Sequence, residues 1–328
     1  MVVHCLHEEE AMRTQSLDTH PDAERTLIEV IRKASSTKRF RLVQSLTQSA
    51  WWSSIYAWLQ SHPGAKEQEA TLHLVTCCYG TGMAQITRTA LEQDASWHVQ
   101  PVDLLAVISP AVSVFHERGV PCYLGGSVAS SLHGMQQMAQ DIDLVVDLRH
   151  CSVPSLYAAL AQHYLVDEQV TQRHTSFSLL HVDSLMKIDV VIPTFDAFDT
   201  AMRPLVREYI LDERYPSLCV ASVYEMILFK LQRYHYHEQA HPGGLMDDAE
   251  WNDIVGMLKV QGPCLDPALL EWFEMGGRSS GRQWNDILGI LRRQGVAIDL
   301  PYLRRWADAL GVRDLLEQVL VDAGFQQP

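Results

Sequence analysis

Tyr123-Leu124-Gly125-Gly126-Ser127-Val128-Ala129-Ser130-Ser131-Leu132-His133-Gly134 reads as a short strand, a glycine turn and a helix closed by a further glycine. Two apolar, β-branched stretches follow it, Ile142 to Val146 and Met186 to Ile192, and a third, Ser176 to Leu180, lies between them. A helical segment, Ser155 to His163, separates the first of these from the others. Strands interleaved with helices predict an α+β fold built on a mixed sheet with flanking helices.

The same stretches carry acidic residues at a telling spacing. Residues two apart on a strand share a face, so Asp141 and Asp143 project together while Ile142 and Leu144 enter the core. Lys187 and Asp189 share a face by the same rule, with Ile188 and Val190 opposite. If the two strands are neighbours, three carboxylates meet above one sheet edge. Such a cluster repels itself, and the usual relief is bound metal or raised pKa values. Two Mg²⁺ ions about 3.5–4 Å apart are the expected occupants. A glycine turn that opens a helix holds phosphates on its N–H groups. Gly125 and Gly126 let the backbone approach the β- and γ-phosphates of an NTP, Ser127 adds a hydroxyl, and Lys187 neutralises charge near Asp189. Together these residues predict nucleotidyl transfer.

Outward from this centre the chain divides into three. Residues 1–100 look helical: Leu27, Val30 and Ile31 fall at helical spacing behind a cap at Asp22, Phe40 to Leu59 ends at His62-Pro63-Gly64, and a third stretch runs from Glu67 to Leu91. Trp51, Trp52 and Trp58 point to core or partner-facing packing, and this module is expected to regulate or to bind protein. Asp94 to Pro101 reads as a linker. Residues 101–221 hold the strands, with a helix from Leu104 to Phe115 bent or broken at Pro110 and a strand at Pro121 to Leu124. Residues 222–328 form a helical bundle. There Trp251-Asn252-Asp253-Ile254-Val255-Gly256-Met257-Leu258 recurs as Trp284-Asn285-Asp286-Ile287-Leu288-Gly289-Ile290-Leu291, and Asp266 answers to Asp299, which predicts a duplicated helical hairpin.

Composition excludes several classes. A 47% hydrophobic, 20% charged chain of 328 residues is ordinary for globular protein, and the lack of an apolar run of about 18 residues or of a basic-then-apolar leader predicts a cytoplasmic protein without a membrane partner. Seven cysteines without a C-x-x-C pair read as small buried hydrophobes rather than disulfides or a zinc site. His235, His237 and His241 are the one local histidine cluster, beside Pro242-Gly243-Gly244. The net charge of −14 argues against strong non-specific nucleic-acid binding, although Arg292, Arg293, Arg304 and Arg305 form a basic group suited to a local RNA end.

The run Tyr123 to Gly134, Gln140-Asp141-Ile142-Asp143-Leu144-Val145-Val146-Asp147-Leu148, Phe177 to His181, Lys187 to Val190 and the Trp-Asn-Asp-Ile-Leu-Gly helices resemble the minimal nucleotidyltransferases of the DNA polymerase β superfamily. The resemblance covers about residues 103–324 and is to the bacterial stand-alone group related to AbiEii-type toxin nucleotidyltransferases. It implies a nucleotidyltransferase core over residues 101–221, nucleotide binding by Gly125, Gly126 and Ser127, and Mg²⁺ binding by Asp141, Asp143 and Asp189. A family lysine on the first helix after the sheet corresponds to Lys230, with Asp253 or Asp286 to position it. The family basic residue before the Asp-x-Asp pair is absent from Gln136-Gln137-Met138-Ala139-Gln140. The implied reaction moves a nucleoside monophosphate from an NTP to an acceptor hydroxyl, on an RNA end such as that of tRNA or on a protein, in a toxin–antitoxin or phage-defence setting with a cognate antitoxin or regulatory protein as partner. The alternatives are an inactive nucleotide- or partner-binding descendant of that fold and an aminoglycoside-type adenylyltransferase.

Overall fold

Alternation of buried and half-open residues along the central strands sets the architecture. The computed structural model describes residues 20–93, 97–149, 151, 153–166, 176–193, 197–240 and 279–325. The four expected strands are present within a residue or so of their predicted bounds, as β1 (Cys122–Leu124), β2 (Ile142–Val146), β4 (Ser176–His181) and β5 (Lys187–Val191). Three short strands join them: β3 (Tyr164–Val166), β6 (Arg207–Tyr209) and β7 (Leu218–Val220). They pair in the order β3-β4-β5-β2-β1-β7-β6. The β2/β5 and β1/β7 pairs are parallel and the others antiparallel, so the sheet is mixed and the expected α+β architecture with flanking helices is the one observed. Leu124, Ile142, Leu144, Val146, Ile188 and Val190 are fully buried on one face. Their odd-numbered neighbours line the other, half-open face, because a period of two leaves no other choice.

The N-terminal helices are α1 (Pro21–Lys33), α2 (Ser36–Ser61) and α3 (Glu67–Gln93). Asp22, the expected cap, is inside α1. His20 is the cap and its Nδ1 accepts the Asp22 N–H, with Pro21 at the first position, where its missing N–H costs nothing. Phe40, Val43 and Trp51 of α2 belong to the same core as the sheet. Thr47 Oγ1 accepts the Ala139 N–H at 2.8 Å, and Arg39 Nε donates to the Leu132 carbonyl at 2.9 Å. Gly80, at φ 81°, kinks α3. The described part of the expected linker is docked: Trp97 Nε1 donates to the Val182 carbonyl and the Gln100 N–H to that of Asp183.

The helix α4 (Leu104–Glu117) continues through Pro110, so of the bend or break expected there the break does not occur. Tyr164 provides the reason. Its hydroxyl accepts the Ala111 N–H at 3.1 Å and donates to the Val107 carbonyl, bridging the two groups that a regular helix would pair directly. Around the sheet lie α5 (Gly126–His133), α6 (Val153–Leu160) and α7 (Ala197–Met202), the last continued by a 3₁₀ turn over Arg203–Leu205. The C-terminal helices are α8 (Val223–Ala240), α9 (Ser279–Gln294), α10 (Leu300–Ala309) and α11 (Arg313–Asp322).

The second copy of the repeat is α9, which buries Trp284, Ile287, Leu288, Ile290 and Leu291, while Trp284 Nε1 donates to Asp322 Oδ2 at 2.9 Å. The first copy, with Asp253 and Asp266, lies outside the described residues, and so does the hairpin duplication. Asp299 caps α10 by accepting the Tyr302 N–H. Gly134 ends α5 and lies so close to α9 that an added Cβ would stand 2.7 Å from the Ile290 nitrogen. His235 lies on α8, whereas the His237 side chain and His241 are outside the described set. Of the five described cysteines only Cys122 is buried as expected of small hydrophobes, whereas Cys77, Cys78, Cys151 and Cys219 are half-buried. No helix among the described residues is long and apolar enough to cross a membrane.

Candidate active site

The parallel register of β2 and β5 places Asp143 directly opposite Asp189. Their alternation turns both onto the half-open face, with Asp141 one step before β2 on the same side. Beside them β1 ends in the glycine turn. The Gly125 N–H donates to the Asp143 carbonyl at 2.9 Å, and α5 begins at Gly126 with Gly125 as its cap. Gly126 has φ 56°, and a Cβ on it would stand 1.5 Å from Asp143 Oδ2. Both the backbone conformation and the close approach of the carboxylate require glycine here. Ser127 Oγ donates to the Asp141 carbonyl at 3.4 Å, so the turn is tied to both acidic positions of β2.

The repulsion expected of three carboxylates is relieved in two ways. Lys187 Nζ lies 2.9 Å from Asp189 Oδ2 and 3.7 Å from Asp141 Oδ2, and Ser178 of β4 donates to Asp189 Oδ1 at 2.6 Å. Burial, reinforced by the negative charges of Asp141 and Asp189, pushes the Asp143 carboxyl up to about 6, against the opposing pull of Arg233 and Lys230. Burial alone would lower the pKa of Lys187. The carboxylates of Asp189, Asp141 and Asp143 outweigh it and raise the pKa, so Lys187 is a firmly held cation.

Lys230 lies on α8, the first helix after the sheet, and its charge acts on Asp143. Its ammonium is buried between α8 and α9, 2.5 Å from Asp286 Oδ2 and 3.1 Å from Gln283 Oε1. A lysine so deep among apolar side chains needs a carboxylate partner. Of the two aspartates weighed for that role Asp286 holds it, and Asp253 lies outside the described residues.

Three residues here carry no signal in the sequence. Tyr79, from α3, donates its hydroxyl proton to the Gln140 carbonyl at 2.9 Å and accepts the Lys187 N–H at 3.3 Å, with its ring 5.2 Å from Lys187 Nζ. One hydroxyl thus joins the approaches to both acidic strands. Ser178 enters by cross-strand pairing with Asp189, and Arg233, exposed on α8, lowers the Asp143 pKa from outside the sheet.

Among the described residues no three His, Cys, Asp or Glu side chains are gathered so as to hold a metal ion as they stand. The cation between Asp141 and Asp189 is the Lys187 ammonium. The donor set is nevertheless of the right kind for a hard divalent ion: carboxylate oxygens only, two of the groups opposed across adjacent strands, one with a pKa raised by its neighbours. Asp141, Asp143 and Asp189 fit Mg²⁺ by chemistry and by strand placement.

No family assignment follows from similarity. No protein-family model matches the chain, and no curated protein matches its sequence. Among solved structures, an antigenic nucleotidyltransferase-like protein from Paracoccidioides brasiliensis is similar, with 14% identity over 64% of this chain and 93% of that chain and a TM-score of 0.30. A likeness of that strength carries no argument about this chain, and the functional reading rests on the site itself.

Proposed function

We propose that the protein is a Mg²⁺-dependent nucleotidyltransferase. The observation that carries this reading is the pairing of Asp143 with Asp189 across parallel strands, under a glycine turn whose second residue has no room for a side chain above Asp143. Bound Mg²⁺ supplies Lewis-acid chemistry, making the acceptor hydroxyl more acidic and neutralising charge on the triphosphate. Asp141, Asp143 and Asp189 would hold it, in the place where the Lys187 ammonium now lies 3.7 Å from Asp141 Oδ2. Gly125, Gly126 and the first turn of α5 receive the β- and γ-phosphates on backbone N–H groups. Lys187 and Arg233 at the rim are the cations placed to meet the phosphates. The acceptor oxygen bonds to the α-phosphorus, the bond from that phosphorus to the bridging oxygen breaks, pyrophosphate leaves with the electron pair, and the acceptor proton passes to solvent. An RNA 3′ end or a protein hydroxyl serves as acceptor, in a toxin–antitoxin or phage-defence role.

A second reading, a nucleotide-binding descendant without turnover, is favoured by one observation: the Lys187 ammonium already stands between two of the carboxylates. Incubation with each labelled NTP, Mg²⁺ and cell RNA or protein separates the two, with Asp143→Ala as control. Label transfer and pyrophosphate release that the control lacks support the transferase. NTP binding with no pyrophosphate under any NTP overturns it and leaves the second reading standing.

A further inference from the structure

Beyond the carboxylates, along the same open face of β2, lies a cavity of about 220 Å³. Its lining begins at Val145, two residues from Asp143 and so about 7 Å away, and reaches Asp147, about 13 Å away, at roughly 3.3 Å per strand residue. Tyr123, the cross-strand partner of Val145, forms one wall and the turn after α7 forms the other.

The far end is built around one buried carboxylate. Asp147, with a side chain 7% exposed, accepts Arg149 Nε at 2.9 Å and Nη2 at 2.8 Å, and Arg203 Nη2 at 2.6 Å, while the two arginine side chains are 47% and 41% exposed. The guanidiniums hold its carboxyl far below the ordinary range, Arg149 foremost. Two guanidiniums meet one carboxylate at this end of the cavity, with Asp199 the other carboxylate of the lining, and Arg203 spends a single N–H on Asp147, which leaves the rest of its fork for a ligand. The rest of the lining differs in character: Asp199 and Thr200 bring a carboxylate and a hydroxyl, and Pro121, Pro193 and Pro204 bring apolar surface. Anion recognition at one end and hydroxyl recognition beside it describe a sugar phosphate.

We propose that this cavity is a sugar-phosphate subsite, with Arg203 and Arg149 taking the phosphate and Asp199 a sugar hydroxyl, and that it seats the acceptor of the reaction. Its role as acceptor site rests on the transferase reading; its capacity to bind does not. A phosphate at Asp147 leaves the other end of the sugar toward Val145, the lining residue nearest Asp143 along the strand.

The test is calorimetric titration of the full-length protein with ribose 5-phosphate, with inorganic phosphate and with a short oligoribonucleotide, in the absence of NTP and Mg²⁺. Ribose 5-phosphate is expected to bind saturably and more tightly than inorganic phosphate, and Arg203→Gln to weaken it by at least about tenfold, as loss of a charge-assisted fork does. Arg203→Lys keeps the charge and the Asp147 contact, so it stands in should the glutamine variant not fold, and it also weakens binding because the fork is lost. Asp199→Asn is expected to weaken ribose 5-phosphate and leave inorganic phosphate unaffected. Equal affinity for the two ligands, no binding of either sugar ligand, or indifference to both Arg203 variants overturns the proposal. Tighter binding of the oligoribonucleotide than of ribose 5-phosphate identifies a polymer end as the source, and equal binding a free sugar phosphate; both support the subsite. Binding here without NTP turnover sinks the transferase reading alone.

Discussion

At Gly126 one missing Cβ decides the site. The positive φ and the 1.5 Å separation that an added Cβ would have from Asp143 Oδ2 act together. Gly126→Ala is therefore expected to force Asp143 out of line with Asp189 and to lower nucleotidyl transfer by two orders of magnitude or more, while destabilising the fold by about 1–3 kcal/mol. Transfer rates and urea unfolding of the purified variant check both parts, and an alanine variant with wild-type activity refutes the geometry. The alternation rule made the carboxylates legible, since Asp141, Asp143 and Asp189 announce their face by spacing alone. Tyr79 does not. It lies 61 residues from Gln140 and 108 from Lys187, and on its own helix it reads as one more aromatic core residue. Lys230 lies between the two cases: its helix was legible, but which aspartate holds it is decided only by the packing of α9, which brings Asp286 to 2.5 Å.

Among the elements, α4 shows how a helix tolerates an internal proline. The Tyr164 hydroxyl spans the Ala111 N–H and the Val107 carbonyl in a buried setting. Tyr164→Phe keeps the ring and removes the bridge, at an expected cost of about 1–2 kcal/mol. Denaturant melts decide this, and a shift below about 0.5 kcal/mol shows the bridge to be dispensable. The unbroken helix was illegible because the relief comes from β3, three residues long, too short for a period-two pattern to register. The same holds for β6 and β7, also of three residues each. The longer strands β2, β4 and β5, of five or six residues, were legible to within a residue or so.

At the scale of the whole molecule, the buried Glu225 and His133 give stability opposite dependences on pH. Burial pushes the Glu225 carboxyl up to about 7, with the Tyr123 hydroxyl donating to Oε1 at 2.8 Å, and Oε2 has no hydrogen-bond partner. Its folded pKa exceeds the unfolded value, so the native state binds the extra proton. The stability it lends is present below about 4.5 and is lost as pH rises through 7. Burial pulls the His133 imidazole down to about 4, where Nε2 stands 2.7 Å from the Ala221 carbonyl. Here the unfolded chain binds the extra proton, and stability is lost as pH falls from 6.5 toward 4. Glu225→Gln is expected to melt higher than wild type at pH 8, by a margin on the order of 3 kcal/mol, and to match it near pH 4.5. Calorimetric melts from pH 4.5 to 8.5 provide the check, and coincident curves at pH 8 contradict the assignment.

Tyr79 stands one residue before the kink at Gly80, so α3 meets the sheet at its tyrosine and then changes direction. The described part of α3 and the approaches to the carboxylates are in this way mechanically continuous. Anything clamped onto α3, whether an antibody fragment, a fused tag or a natural binding protein, will be felt at Lys187 as a change in its reactivity toward amine-directed labels, long before any nucleotide is offered.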